Sequence, residues 1–182
     1  MKYKNNINNL IKLKKEIIKL QANEDNDIKE LLRWRKKLKK KSKIKTKLIN
    51  LDECKDWYLD KNKNLYHKSG QFFKVQGVKI SGASLREVKS WTQPILTQKH
   101  GGILAFICRV TKKKGVQFLL EGKTEPGDNA DVKITSCFQA TQSNMNRAHG
   151  GKRPKFYDIV VNLKGAKLIY CAAHNEEGAR FW

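Results

Sequence analysis

"GILAFICRVTKKKGVQFLLEG", residues 102–122, sets two apolar runs on either side of a lysine-rich turn that closes on Gly115. The pattern predicts a β-hairpin with 102–110 and 116–122 as its arms and 111–115 as its turn. Working outward, "VKITSCFQAT" (132–141) alternates and reads as another strand, and "FYDIVVN" (156–162) and "AKLIYCAA" (166–173) as two more. Upstream, "GQFFKVQGVKI" (70–80) alternates around a Gln-Gly turn and reads as a strand pair. "SLREVKSW" (84–91) has a helical period and stops before Pro94. Many strands and few helices predict an α+β domain around a mixed or antiparallel sheet. The last residues, "EEGARFW" (176–182), add no closing element, and an exposed Phe-Trp end reads as a truncation or a partner surface.

Residues 1–54 have a different character. Leu10, Leu13, Ile17 and Leu20 recur at helical spacing among lysines, and Asp27 and Glu30 are spaced as a capping box ahead of Leu31, Leu32 and Trp34. Two helices joined by a turn at 23–27 are expected. The second runs into "RWRKKLKKKSKIKTK" (33–47), where 10 of 15 positions are basic and none is acidic. Such a block fits RNA or an anionic membrane surface, and equally a solvated helix face or a linker. We expect a basic helical extension over 1–54 and the main domain over 55–182.

The whole chain carries 39 Lys and Arg against 17 Asp and Glu, a formal charge of +22. A polyanionic partner explains that excess. So does an AT-rich coding bias, since Lys, Asn and Ile are all abundant. No run of the 182 residues approaches a membrane span, and lysines interrupt the N-terminal apolar positions, which reads as a cytoplasmic protein without a transmembrane segment. The four cysteines lie far apart without a C-x-x-C pair, so a zinc site is not expected and reduced thiols filling a core are.

The stretch "KTEPGDNADVKITSCFQATQSNMNRAHGG" (123–151) collects polar side chains around little apolar material, as a pocket for a small polar ligand would. No nucleophile elbow, P-loop, dinucleotide glycine pattern or metal-spaced histidine pair occurs. The remaining titratable candidates are Glu125, His149, His67, Glu176 and Glu177. Glu125 precedes Pro126-Gly127, a turn able to hold a carboxylate rigidly for general-base work, or merely to be decorated by one. His149 before Gly150-Gly151 is an acid, a base, or a plain loop histidine. Lys123, Arg86 and Arg147 carry charge suited to a diphosphate. Trp91 and Phe138 are able to stack on a base, or to fill a core. Lys123 and Glu125, two apart, are expected on one side of a strand, as are Gln139 and Thr141 on its neighbour.

"HKSGQFFKVQGVKI", "REVKSWTQPIL", "GGILAFICRV", "EGKTEPGDNADVKITSCFQATQSNMNRAHGG" and "EEGARF" occur in that order, and together they resemble the NDP-hexose 2,3-dehydratase family from about Trp57 onward. The resemblance implies a Nudix-like sheet domain without a Nudix box. It implies a dTDP-4-keto-6-deoxyhexose substrate that loses water across C2 and C3, with no redox cofactor. A homodimer or a second repeat is the implied protein partner, because family members usually carry two copies of this domain. Glu125 and then His149 are the implied catalytic groups. Arg86, Trp91, Gln93, Lys123, Gln139, Thr141, Asn144 and Arg147 are the implied substrate-binding set. The chain departs from the family in holding one copy, in reading "EPGD" for "EPGN", and in Ser136-Cys137-Phe138 before Gln139-Ala140. A noncatalytic nucleotide-sugar module and a basic RNA- or membrane-associated protein are the alternatives.

Overall fold

A computed structural model describes residues 7–19, 24–112, 115–128 and 131–174. In chain order the helices α1 (Ile7–Lys19) and α2 (Glu24–Lys41) come first. Four strands follow: β1 (Trp57–Leu59), β2 (Leu65–His67), β3 (Lys74–Ile80) and β4 (Trp91–Thr97). Then come β5 (Gly102–Ala105), β6 (Cys108–Thr111), β7 (Gly115–Phe118), β8 (Leu120–Lys123), β9 (Lys133–Ser136) and β10 (Phe138–Thr141). Two one-turn helices, α3 (Gln142–Met145) and α4 (Tyr157–Val160), complete the set. The architecture is α+β with antiparallel pairing, as expected. The chain divides into two compact units, which cut across the expected boundary at 54/55. One holds the described residues through Lys47 with Ile103–Ala140 and Pro154–Ala172; the other holds Leu48–Gly102, Thr141–Arg153 and the described residues from Ala173.

In the first unit only the inner part of the hairpin expected over 102–122 forms, as β6 and β7, with Cys108 opposite Phe118 and Thr111 opposite Gly115, while the outer ends of both expected arms, in β5 and β8, pair with other strands. Gly115 takes φ +61°, the left-handed conformation that suits glycine at a turn. β8 pairs β9, and β10 pairs β5. The strand read over 132–141 therefore changes partner at Cys137. Its Sγ accepts the Ile107 N–H at 3.4 Å, and the thiol lies 3.6 Å from Ala105 O. Among the described residues of this unit, the buried ones are Gly115 and, along the bent strand, Val132, Ser136, Cys137, Phe138 and Ala140, so the core follows that strand. Cys137 fits the expectation of a core thiol; Cys54, Cys108 and Cys171 are only half-buried.

α2 is docked onto this unit. It begins at Glu24, three residues before the capping box expected at Asp27. The Arg35 guanidinium donates to Val132 O at 2.6 Å and to Asp131 Oδ2 at 2.6 Å, and Lys39 Nζ reaches Asp131 Oδ1 at 3.4 Å. Trp34 and Leu38 close over Gly122, where a Cβ would overlap Leu38 Cδ1 and meet Val132 at 3.3 Å and Trp34 at 3.4 Å. A glycine there lets the helix approach the strand this closely. Ser42 and Thr124 continue the contact, with their hydroxyls 3.5 Å apart. α1 lies against β7.

The second unit is built on the sheet β1-β2-β3-β4. Asp60 closes the β1–β2 turn by accepting from the Asn62 and Asn64 N–H groups at 2.8 and 2.9 Å. Trp57 packs between His67 and Phe73, and Phe72 stands edge-on to His67. The expected strand pair over 70–80 is instead one strand, β3, that runs straight through Gln76-Gly77 and pairs with β4. Gly77 makes no turn because its partner strand holds it extended opposite Pro94. Pro94 is tolerated because β4 is an edge strand. The expected helix over 84–91 is a loop: Leu85 is 99% exposed and Val88 also faces outward, so its apolar period finds nothing to pack on. Two expected strands also fail. Residues 156–162 hold the short helix α4, entered through Phe156 at φ +62°, and 166–173 form no strand. Glu176, Glu177 and the segment "EEGARFW" lie in or overlap 175–182, outside the described residues.

Candidate functional site

The Glu125 turn belongs to the first unit and grows directly from β8. Alternation along the strand puts Lys123 and Glu125 on one side, and their side chains meet with Nζ to Oε1 at 2.5 Å. Pro126-Gly127 then reverses the chain. The turn is tied twice: Asp128 N–H donates to Glu125 O at 3.0 Å, and Glu125 N–H donates to Asp128 Oδ2 at 2.8 Å. Asp128's side chain is only 3% exposed, whereas that of Glu125 is 51% exposed. The turn thus anchors one carboxylate in order to present the other.

Lys133, from β9, pairs with Asp128 Oδ1. That hydrogen bond first, and the Glu125 N–H second, hold the Asp128 carboxyl below its ordinary value against the opposing effect of burial. Asp131 is lowered too, chiefly by the Val132 N–H and then by Lys39 and Arg35. Asp128 is the member of this site whose role sequence reasoning missed. Its signal was the spacing Glu125-Pro-Gly-Asp128, in which a side chain three residues on can return to the backbone.

On β10, Gln139 is exposed between buried Phe138 and Ala140, and Thr141 is half-buried. Phe138 is 2% exposed, so it fills the core and offers no face to a base.

The remaining candidates lie in the second unit and form two local groups. At the start of β4, the Arg86 guanidinium stands over the Trp91 ring at 5.7 Å, and Trp91 Nε1 donates to Gln93 Oε1 at 2.7 Å. A charge, an aromatic face and an amide are thereby gathered on one exposed edge. In the second group Thr141 caps α3. Its hydroxyl accepts from Asn144 N–H at 3.4 Å, and its own N–H donates to Asn144 Oδ1 at 3.2 Å. The Thr141 hydroxyl and Asn144 Oδ1 thus hold the cap, and the Asn144 Nδ2 takes no part in it. After α3, Arg147 takes φ +59° and its Nε donates to Gly151 O at 3.0 Å. Gly151 N–H donates to His149 Nδ1 at 2.8 Å. That bond makes Nδ1 the acceptor and leaves Nε2 as the proton-bearing nitrogen of the neutral ring. His67 has a structural place instead, bonded to Ser69 and stacked among aromatic rings.

Among the described residues, no group of three or more His, Cys, Asp or Glu is placed to hold a metal ion. No described helix is long and apolar enough to cross a membrane.

This α+β chain of antiparallel sheets, with a carboxylate presented on a tied turn, has clear relatives. The profile of the NDP-hexose 2,3-dehydratase family matches residues 28–182. The chain belongs to that family. It is 31% identical over 153 residues to a dTDP-4-dehydro-6-deoxy-alpha-D-glucopyranose 2,3-dehydratase of Amycolatopsis orientalis, covering 84% of this chain and 32% of that protein. A protein of the same name from Saccharopolyspora spinosa is 30% identical, over 76% of this chain and 28% of its own length. Another from Streptomyces violaceoruber is 27% identical, over 86% and 34%. The aligned region is thus about a third of each of these relatives. The family match begins at Ile28, within α2.

Proposed function

We propose that this chain is one repeat of a dTDP-4-keto-6-deoxyhexose 2,3-dehydratase, a carbon–oxygen lyase of deoxysugar biosynthesis. A second repeat or a second copy of the chain serves as its partner. The family match over residues 28–182 carries this reading, together with the activity named for the relatives. We read the fold as a Nudix-like repeat over 55–182 behind a basic helical segment over 1–54.

In the proposed reaction the C4 ketone acidifies the C3 proton. Glu125 takes that proton, and the electrons of the C3–H bond form a C2=C3 double bond. The C2–O bond breaks, and the hydroxyl leaves as water after gaining a proton. The resulting enol tautomerises to the 3,4-diketo-2,6-dideoxy sugar. Lys123, already beside the Glu125 carboxylate, supplies positive charge for the developing enolate or for the diphosphate. His149 is the second choice for proton transfer, as its Nε2 is the ring nitrogen left free by Gly151. Arg86, Trp91 and Gln93 form a group suited to the nucleotide, with the cation already over the ring. Gln139, Thr141, Asn144 and Arg147 are assigned to substrate binding.

Glu125→Gln tests the central assignment, because it keeps the shape and removes the base. Turnover should fall at least about a hundredfold while dTDP affinity barely moves. Wild-type-like turnover would remove Glu125 from the mechanism. A second reading is a noncatalytic nucleotide-sugar module, in keeping with the departures from the family pattern at Asp128 and at Ser136-Cys137-Phe138. An inactive wild type with intact dTDP binding would select it.

A further inference from the structure

α2 has two faces with different fates. Trp34, Arg35, Leu38 and Lys39 are turned to Gly122, Val132 and Asp131 of the first unit. At 100° per residue the opposite arc is formed by Lys29, Arg33, Lys36, Lys37 and Lys40, with Lys41 at its edge, one heptad on from Trp34, all of them exposed. Among the described residues, α2's ion pairs run from Arg35 and Lys39 to Asp131, on the docked side. Among the described residues this side of the helix carries one exposed acid, Glu30, against its row of cations, and no ion pair joins them.

Two rows make up the arc. Lys29, Arg33, Lys37 and Lys41 repeat every fourth position, and Lys36 and Lys40 run beside them. Fourth-position spacing places successive cations about 6 Å apart along the axis, close to the phosphate spacing of an extended nucleic-acid strand. Past the helix Lys43, Lys45 and Lys47 are exposed and Ile44 is half-buried. A lipid surface is a poorer fit. A membrane-bound amphipathic helix inserts the apolar face opposite its lysines, and here that face is occupied by the β8–β9 hairpin.

We propose that the outward arc of α2, with the lysines that follow it, binds a nucleic-acid phosphate backbone without sequence preference. The site is separate from the sugar-nucleotide chemistry and does not rest on it. Trp34, the aromatic within this segment, is packed over Gly122, which leaves phosphate contacts as the source of affinity.

Fluorescence anisotropy on the full chain tests the proposal, with a labelled RNA strand of about 20 nucleotides and a DNA duplex of similar length as probes. Lys36, Lys37, Lys40 and Lys41 are changed together to Gln, and in a second variant to Glu; urea unfolding verifies that each is folded. As a charge-matched control, the exposed Lys61, Lys99, Lys152 and Lys164 are changed to Gln. The α2 variants should lose at least about tenfold in affinity near 0.1 M salt, and the slope of log K against log salt should shrink by about 3 on the single strand. The control should keep most of both. Equal losses in the control would mean that net charge, and not this arc, attracts the probe, and would overturn the proposal. No wild-type binding to either probe would overturn it, as would binding only to phosphatidylserine vesicles. A preference between RNA and duplex DNA would identify which source of backbone the arc takes.

Discussion

Gly122→Ala probes how α2 is held. Glycine inside a strand is ordinarily unfavourable by roughly 0.5–1 kcal/mol relative to alanine, so a free strand would gain from the change. Here the new Cβ overlaps Leu38 Cδ1 and touches Val132 and Trp34 at 3.3 and 3.4 Å. Overfilling a packed contact costs about 1–3 kcal/mol. The Leu38 methyl is the far end of a flexible side chain and relieves part of this by turning, at roughly 0.5–1.5 kcal/mol if it leaves its rotamer. The net expectation is a destabilisation of about 1 kcal/mol. Leu38→Ala alone removes a half-buried side chain and should cost about 1–2 kcal/mol, below the range for full burial. In the double variant the overlap has no partner, so the two costs should not add, and a coupling of about 1 kcal/mol is expected. Urea unfolding of the wild type and three variants measures it. A stabilising Gly122→Ala, or additivity within about 0.5 kcal/mol, would refute the docking of α2 on β8.

Three further outcomes are expected. Asp128's carboxyl is held below its ordinary 3.8, so its contribution to stability is complete above about pH 4 and is lost as pH falls through the folded value. Asp128→Asn keeps an acceptor for Glu125 N–H but loses the charge facing Lys133, and acid unfolding profiles should show a shallower acid limb; an unchanged limb would sink the pairing. Deleting residues 1–27, ahead of the family match, should leave dTDP affinity within a few fold, under about 1 kcal/mol. Deleting 1–54 should also lower the unfolding midpoint, because it removes Trp34, Arg35 and Leu38 from the β8–β9 hairpin. A midpoint unchanged by the longer deletion would make α2 a detached segment. Calorimetry should find dTDP binding equally strong with and without EDTA, and a strict magnesium requirement would contradict the sugar-nucleotide reading as stated.

How much was legible depended on whether the partner lay nearby in sequence. The β6–β7 hairpin was readable because two apolar runs flank a turn ending in Gly115, although only 108–111 and 115–118 pair and the outer ends of the runs turn to distant partners that no local pattern names. The same-side placement of Lys123 and Glu125 followed from strand alternation alone. Segment 84–91 had the spacing of a helix face, yet spacing names only which residues would be buried together, and Leu85 is left in solvent with Val88 largely exposed beside it. Residues 156–162 were rich in β-branched side chains but found no strand to pair with, and a single helical turn formed instead. In the candidate site, Asp128's return to Glu125 N–H was within reach of a local reading. The Arg35 contact to Asp131, 96 residues away, was not.

The basic segment makes the same point about charge. A run of ten cations in fifteen positions reads as a solvated or polyanion-binding stretch whichever way its helix is turned. The assignment of faces comes from Trp34, Arg35 and Leu38, which the surrounding lysines hide in any average over the segment. Once those three and Lys39 are turned to Gly122, Val132 and Asp131, the cations on the outward side face solvent or a ligand. On the proposed assignment of Glu125, the same docking bears on the position of that carboxylate. Gly122 lies one residue before Lys123 and three before Glu125, and Ser42 sits beside Thr124 between them. A helix fixed on β8 at that point limits the motion of the strand end that presents the carboxylate. Substitutions that loosen α2 should therefore affect turnover through Glu125's position, even though none of the helix's side chains is assigned to the substrate.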